Sequence, residues 1–414
     1  MLIGLVIVTV AGASPGRLPT GAAIAPSAQP AAQKPPDSVR IVSSLPLLGS
    51  TASISQSIVN AIGMAVEEHD RQPGKLRVVY EPWNDASAAR GSWDPNLELV
   101  NARRAASEPD VMAYLGPFNS GAAQVAIPVL NYANLVIVSP ANTYPGLTRS
   151  GGDPREPAIF YPTGVRNYAR VVPPDDVQGM AAARWARQLG AQRVYVLDDG
   201  ERYGHWLAGA FHQEATRLGL TVLPADDPER LDVRGDDYRA VAARIGDTQP
   251  DLVYFGGITQ DRAGELWQAL RSSLGANVAL MGPDGIFERA FLDAAGQAAL
   301  ATYLTSPGVP VNSYPAVAAA WADRYRAMFA GEPDFWAIYG YEAANVVLDA
   351  IARVDRPDRD AIRAAVMATR DYNGVLGRWS FDENGDTTLR TISGSQVRGP
   401  TYEDVQLVTL LDGS

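Results

Sequence analysis

Four short segments carry residues able to hold a small charged molecule, and each directly follows an apolar run. Gly116-Pro117-Phe118-Asn119-Ser120-Gly121 comes after Leu115 and before a helical stretch, Ala122–Asn131. Ser120 fits the N-cap of that helix, where a hydroxyl caps free amides. The same helix start offers amides and a positive dipole end to a carboxylate. Ser139-Pro140-Ala141-Asn142-Thr143-Tyr144-Pro145 follows Val138. Its prolines fix an irregular loop with backbone groups and the Thr143 hydroxyl free for hydrogen bonding, although a plain connector reads the same. Asp198-Asp199-Gly200-Glu201-Arg202-Tyr203-Gly204 follows Leu197, with Tyr203 either facing a cleft or packing over a solvated loop. Gly282-Pro283-Asp284-Gly285 follows Met281. Pro-Asp-Gly favours a turn, yet Asp284 could also meet an ammonium across a cleft. Singly, each segment has a structural explanation. Together they offer the two halves of a zwitterion site.

The elements that must position these segments are short strands alternating with amphipathic helices. Strands are expected at Val39–Ser44, Leu76–Tyr80, Val111–Leu115, Leu135–Val138, Arg193–Leu197, Leu252–Phe255 and Val278–Met281. Ile54, Ile58, Ile62 and Ala65 mark one helical face, and Leu207, Phe211, Ala215 and Leu218 another. Near-continuous apolar strands between helices mean parallel sheets covered on both faces. This is α/β architecture, in which ligands sit beyond the C-terminal strand ends. Val171-Val172-Pro173-Pro174-Asp175-Asp176 and Ser306-Pro307-Gly308-Val309-Pro310 are stiff, extended connectors. Either they carry the chain between two discontinuous lobes or they are surface loops.

The rest of the composition mostly excludes. The 414 residues include 35 basic and 46 acidic side chains, a net charge of −11. That balance argues against nucleic acid as a partner, since binding it needs clustered Lys and Arg. With no cysteine there are no disulfides, thiolate nucleophiles or zinc-thiolate sites. There is no Walker loop, dinucleotide fingerprint, HExxH or GxSxG, so neither a cofactor nor an enzymatic activity is expected. The histidines are His69, His205 and His212, and the last two sit two helical turns apart, too far to share an ion. Asp382-Glu383-Asn384-Gly385-Asp386 lacks the rest of a calcium loop and reads as a hairpin turn between Val375–Phe381 and Thr387–Ile392.

Leu2–Gly12 is an apolar run too short to span a bilayer, ending in the small-x-small pattern Ala11-Gly12-Ala13. It is expected to be a signal peptide over residues 1–13, although no Lys or Arg precedes it. Residues 14–37, rich in Pro and Ala, form a flexible spacer. Val10-Ala11-Gly12 precedes Ala13 where a lipoprotein carries cysteine, so a released extracytoplasmic protein is expected rather than an anchored one.

The order of these motifs resembles the type I periplasmic solute-binding proteins, in the branch that binds leucine, isoleucine and valine for ABC importers. The resemblance rests on Leu115-Gly116-Pro117, Ser120-Gly121, Ile137 through Thr143, Asp198 to Tyr203-Gly204, and Asp237-Tyr238. It continues with Pro250 through Gly257, Met281-Gly282-Pro283-Asp284-Gly285, Tyr341-Glu342-Ala343 and Gly377 through Asp382. It covers about residues 39 to 412. It implies two doubly wound parallel-sheet lobes joined by a three-strand hinge, lobe 1 spanning 38–173 and 306–392 and lobe 2 spanning 174–305 and 393–414. It implies that Ser120, Ala141 and Thr143 hold a ligand carboxylate, while Tyr203 and Asp284 meet the rest from the second lobe. The ligand would be a small amino acid, the protein a monomer, and its partner a membrane permease. A sensory receptor for amides or other small polar solutes is the alternative on the same fold. Asp284 is shorter than the glutamate many relatives carry, and no ring stands near Ile54 where relatives place one.

Overall fold

A computed structural model describes residues 38–71 and 76–412. The expected signal peptide and spacer lie outside the described residues. The first sheet consists of β1 (Ser38–Leu45), β2 (Arg77–Asn84), β3 (Val111–Leu115), β4 (Val136–Ser139) and β5 (Tyr168–Arg170), in the order β2-β1-β3-β4-β5. All of its pairings are parallel. The second sheet takes β6 (Arg193–Asp198), β7 (Thr221–Leu223), β8 (Glu229–Arg230), β9 (Leu252–Gly256), β10 (Ala279–Gly282), β11 (Tyr303–Pro307), β12 (Thr391–Val397) and β13 (Val405–Asp412). Its order is β8-β6-β9-β10-β11-β12-β13, with β7 also on β6. The last two strands join antiparallel.

Each sheet has helices on both faces, which explains the continuous apolar strands. In β1, Val39, Ile41 and Leu45 enter one core while Val42 enters the opposite one. The first of these cores packs α1 (Ala52–Asp70), through Ile54, Ile58, Ile62 and Ala65, against the sheet. On the other face α2 (Pro95–Ser107) and α3 (Ser120–Tyr132) contribute Ala102, Ala105, Ile127 and Leu130. In the second sheet α4 (Asp175–Gln188) and α5 (Arg202–Arg217) bury Trp185, Leu207 and Phe211 on one face. Helices at Tyr238–Asp247 and Ala263–Leu274 bury Ile245, Leu266 and Trp267 on the other. Among the described residues no helix is long and apolar enough to cross a membrane.

The chain crosses from the first sheet to the second between β5 and α4, through Val171–Pro174, and returns after β11. Gly308 makes that return at φ +79, and a Cβ there would strike the Tyr339 hydroxyl, so only glycine fits. Helices Ala316–Phe329 and Ala337–Val354 then complete the first core before β12 crosses back. Ser306, Pro307, Thr391 and Ile392 pair within the second sheet, slightly beyond the boundaries expected at 306 and 392.

The expected hairpin around Gly385 forms differently. Its regular ladder is Tyr372–Gly374 with Gly377–Trp379, and the turn at Asp382–Asp386 is closed by one bridge, Phe381 to Thr387. Ile392 belongs instead to the second core, because long-range pairing with β11 buries it. Two segments of the resemblance meet here: Glu342 accepts hydrogen bonds from Trp379 Nε1 at 2.6 Å and Val375 N at 3.0 Å.

Candidate functional site

The loops after β3 and β4 form one wall of a small cavity and are fastened to each other. Ser139 Oγ donates to Pro117 O at 3.0 Å and accepts from Asn142 N at 2.9 Å. Asn142 Nδ2 donates to Phe118 O at 2.8 Å. Beneath them Arg170, fully buried, donates to the carbonyls of Asn142 (3.3 Å) and Tyr144 (2.7 Å) and to Thr148 Oγ1 (2.7 Å). Its charge is met by Asp386 at 2.7 Å. Burial opposes ionisation of Asp386, but the Arg170 charge outweighs it and holds that carboxyl below its ordinary range.

Ser120 departs from expectation. It is the first residue of α3 rather than its cap; Asn119 takes the N-cap position without a side-chain bond. The Ser120 hydroxyl is buried and accepts from Tyr144 N at 3.3 Å, so it ties one loop to the other. The helix begins bonding at Ala123, which donates to Asn119 O. The first-turn amides are thus left over for another acceptor.

The opposite wall comes from the second sheet. Tyr203, in the first turn of α5, donates its hydroxyl to Asp284 Oδ1 at 3.0 Å and accepts from Gly285 N at 3.1 Å. Gly285 permits this approach: a Cβ there would lie 2.5 Å from Gly257 O and 2.8 Å from the Tyr203 ring. Burial pushes Asp284 up to about 6, with Gln178 and Tyr203 pulling it partly back. The cavity between the walls measures about 60 Å³ and is lined by Ser120, Ala141, Thr143, Tyr203 and Asp284 together. Trp93, Phe118 and Trp336 also line it, whereas Ile54 does not. Ile54 itself lines a larger neighbouring cavity.

One acidic residue escaped the sequence reading. Asp175 opens α4, is fully buried, and neither of its carboxyl oxygens has a hydrogen-bond partner. Burial, then the charge of Asp284, pushes it well above its ordinary range, while Thr143 and Arg170 only partly counteract them. Its amide donates to Thr143 O at 2.9 Å, which places it beside the first wall. In sequence, Pro-Pro-Asp-Asp reads as an ordinary acidic helix start, and nothing local signals its burial. Two of the histidines have structural partners. His205 Nδ1 lies 3.0 Å from Asp198 Oδ2, and His212 Nε2 lies 2.9 Å from Pro224 O.

The arrangement suits a molecule that carries an anionic and a cationic group side by side. Amides and hydroxyls from the first wall can donate to the anion, and the buried carboxyl of Asp284 can meet the cation.

Comparison with known proteins gives a consistent result. A family model described as periplasmic binding protein matches residues 38–400. The Leu/Ile/Val-binding protein BraC3 of Rhizobium johnstonii is 26% identical over 352 residues, 84% of this chain and 88% of that protein. Among solved structures, the leucine-binding protein LivK of Thermotoga maritima matches with a TM-score of 0.75 at 25% identity, covering 90% of this chain and 99% of the other. LivJ of Streptococcus pneumoniae, solved with isoleucine, matches with a TM-score of 0.73 at 21% identity, covering 90% and 99%.

Proposed function

Because this chain belongs to the periplasmic binding protein family, we propose that it is the extracytoplasmic substrate-binding component of an ABC importer, capturing an amino acid of the branched-chain class or a related one. Its fold is that of type I periplasmic binding proteins, two doubly wound lobes joined by three crossings. The names of the relatives, Leu/Ile/Val-binding and leucine-binding, support an amino acid as ligand.

The observation that carries the reading is the joint lining of the small cavity by Ser120, Ala141 and Thr143 from one wall and Tyr203 and Asp284 from the other, with the buried carboxyl of Asp175 close enough to feel the Asp284 charge. Two buried carboxyls repel one another, and an ammonium beside them removes that repulsion. Ser120, Ala141 and Thr143, with the first turn of α3, then take the ligand carboxylate, while Tyr203 orients Asp284. The ligand touches both lobes and so favours the closed form over the open one. The closed, loaded protein is what a membrane permease receives.

Calorimetry with a panel of amino acids tests this, with 4-methylpentanoate, which is leucine without its ammonium, as the control. Amino acids should bind and the control should not. Equal binding of leucine and 4-methylpentanoate would remove the ammonium contact from the reading.

A further inference from the structure

The amino-acid head accounts for the small cavity and leaves the larger one beside it unused. That second cavity has a volume of about 620 Å³, within the range of small-molecule sites. The same two chain segments wall both. Asp284 and Gly285 line the small cavity while Phe287 and Glu288 line the large one; Trp336 lines the first and Phe335 the second. A side chain leaving the head between these segments therefore has the large cavity ahead of it.

Its lining is aromatic and acidic. Phe287 stacks near Phe335 with ring centroids 6.2 Å apart, and Tyr402 lies 5.4 Å from Phe287. Glu288 is 6% exposed, and its one hydrogen-bonded partner of good geometry is a neutral amide, Gln260 Nε2 at 3.1 Å. That amide also donates to Ser50 Oγ at 2.7 Å. Asp334 accepts from Trp336 N at 3.1 Å. Among the described residues neither carboxyl has an ion-pair partner, whereas the arginines of the same lining do. Arg289 pairs with Glu403 at 2.7 Å and Arg326 with Glu332 at 2.8 Å. Burial raises Glu288 to about 7, with the Asp334 charge adding to it, and raises Asp334 to about 6.

An isobutyl side chain would fill little of this volume and leave Glu288 without a counter-charge and Asp334 with only the partial one of Arg289, itself paired with Glu403. A guanidinium or ammonium on a long stem would lie against the rings and neutralise the acids. We infer that the ligand is an α-amino acid with a long cationic side chain, of the arginine or lysine type, whose charged end lies among Glu288, Asp334 and the rings of Phe287 and Phe335. This rests on the amino-acid reading of the small cavity and departs from it in the side chain.

The test is calorimetry of the full chain near neutral pH with arginine, its neutral isostere citrulline, norleucine and leucine. Arginine should bind about tenfold or more tighter than citrulline and norleucine. The double variant Glu288→Gln with Asp334→Asn should weaken arginine by about the same factor and leave norleucine unchanged. If norleucine or leucine binds as well as arginine, the cationic side chain is wrong and the amino-acid head stands. If no α-amino acid binds, the head reading falls as well. An arginine preference that survives the double variant overturns the placement in this cavity. Should that variant not fold, the arginine–citrulline comparison on the unaltered protein decides alone.

Discussion

Asp284 carries the largest share of the proposed recognition, because it is a buried carboxylate whose hydroxyl partner, Tyr203, supplies no charge. Replacing it by asparagine keeps the shape and removes the counter-charge. Asp284→Asn is expected to weaken amino-acid binding by roughly 2–5 kcal/mol, measured by calorimetry, without lowering the melting temperature. The same residue sets a pH dependence with a definite sign. Its folded pKa, about 6, lies above the ordinary 3.8. In the ligand-free protein it therefore favours folding below the unfolded value, and that contribution is lost as pH rises through about 6. Binding runs the other way, because the ammonium requires the ionised form. Affinity should fall as pH drops through about 6, with proton release on binding near that pH. A dissociation constant flat between about pH 8 and about pH 5 would sink the Asp284 contact.

Loops hold the site, so the elements matter through what fixes those loops. The Ser139–Tyr144 loop has no regular pairing of its own and depends on Arg170, whose guanidinium is buried against Asp386 from a distant turn. Removing one partner leaves the other charge buried and alone. Asp386→Asn should therefore lower stability by about 3–5 kcal/mol in denaturant titrations and weaken ligand binding along with it. Gly285→Ala separates the two effects. Its methyl would press on Gly257 O and the Tyr203 ring and push the Tyr203 hydroxyl off Asp284. Affinity should drop by about tenfold or more, with a stability cost of about 1–3 kcal/mol. Unchanged affinity in this variant would mean that Tyr203 does not orient Asp284.

At the scale of the whole molecule, two separately packed sheets are joined by three chain crossings, and the proposed ligand touches residues from both. A ligand that bridges them should reduce the radius of gyration in solution scattering; an unchanged radius at saturation would rule out hinge closure as the response. Saturation at about 100 times the dissociation constant should also add about 2.7 kcal/mol to stability.

The residue pattern by itself determined the architecture and much of the site. Apolar runs such as Val111–Leu115, short and alternating with helical patterns, read as strands buried on both faces, and Ile54, Ile58 and Ile62 as one face of a helix, because spacing dictates which side chains share a face. The segments that carry Ser120, Ala141, Thr143, Tyr203 and Asp284 could be grouped because each follows a strand and parallel sheets gather their C-terminal ends, while the resemblance singled out these five residues, which line one cavity. Other features were decided only by the tertiary structure. Ser120 ties two loops rather than capping a helix, and Thr391 and Ile392 join the second sheet instead of closing a local hairpin. Asp175, Glu288 and Asp334 look like ordinary surface acids in sequence, and Trp336 like core. Burial of a charge and the approach of a ring depend on chain that arrives from a hundred or more residues away, and no local pattern encodes that distance.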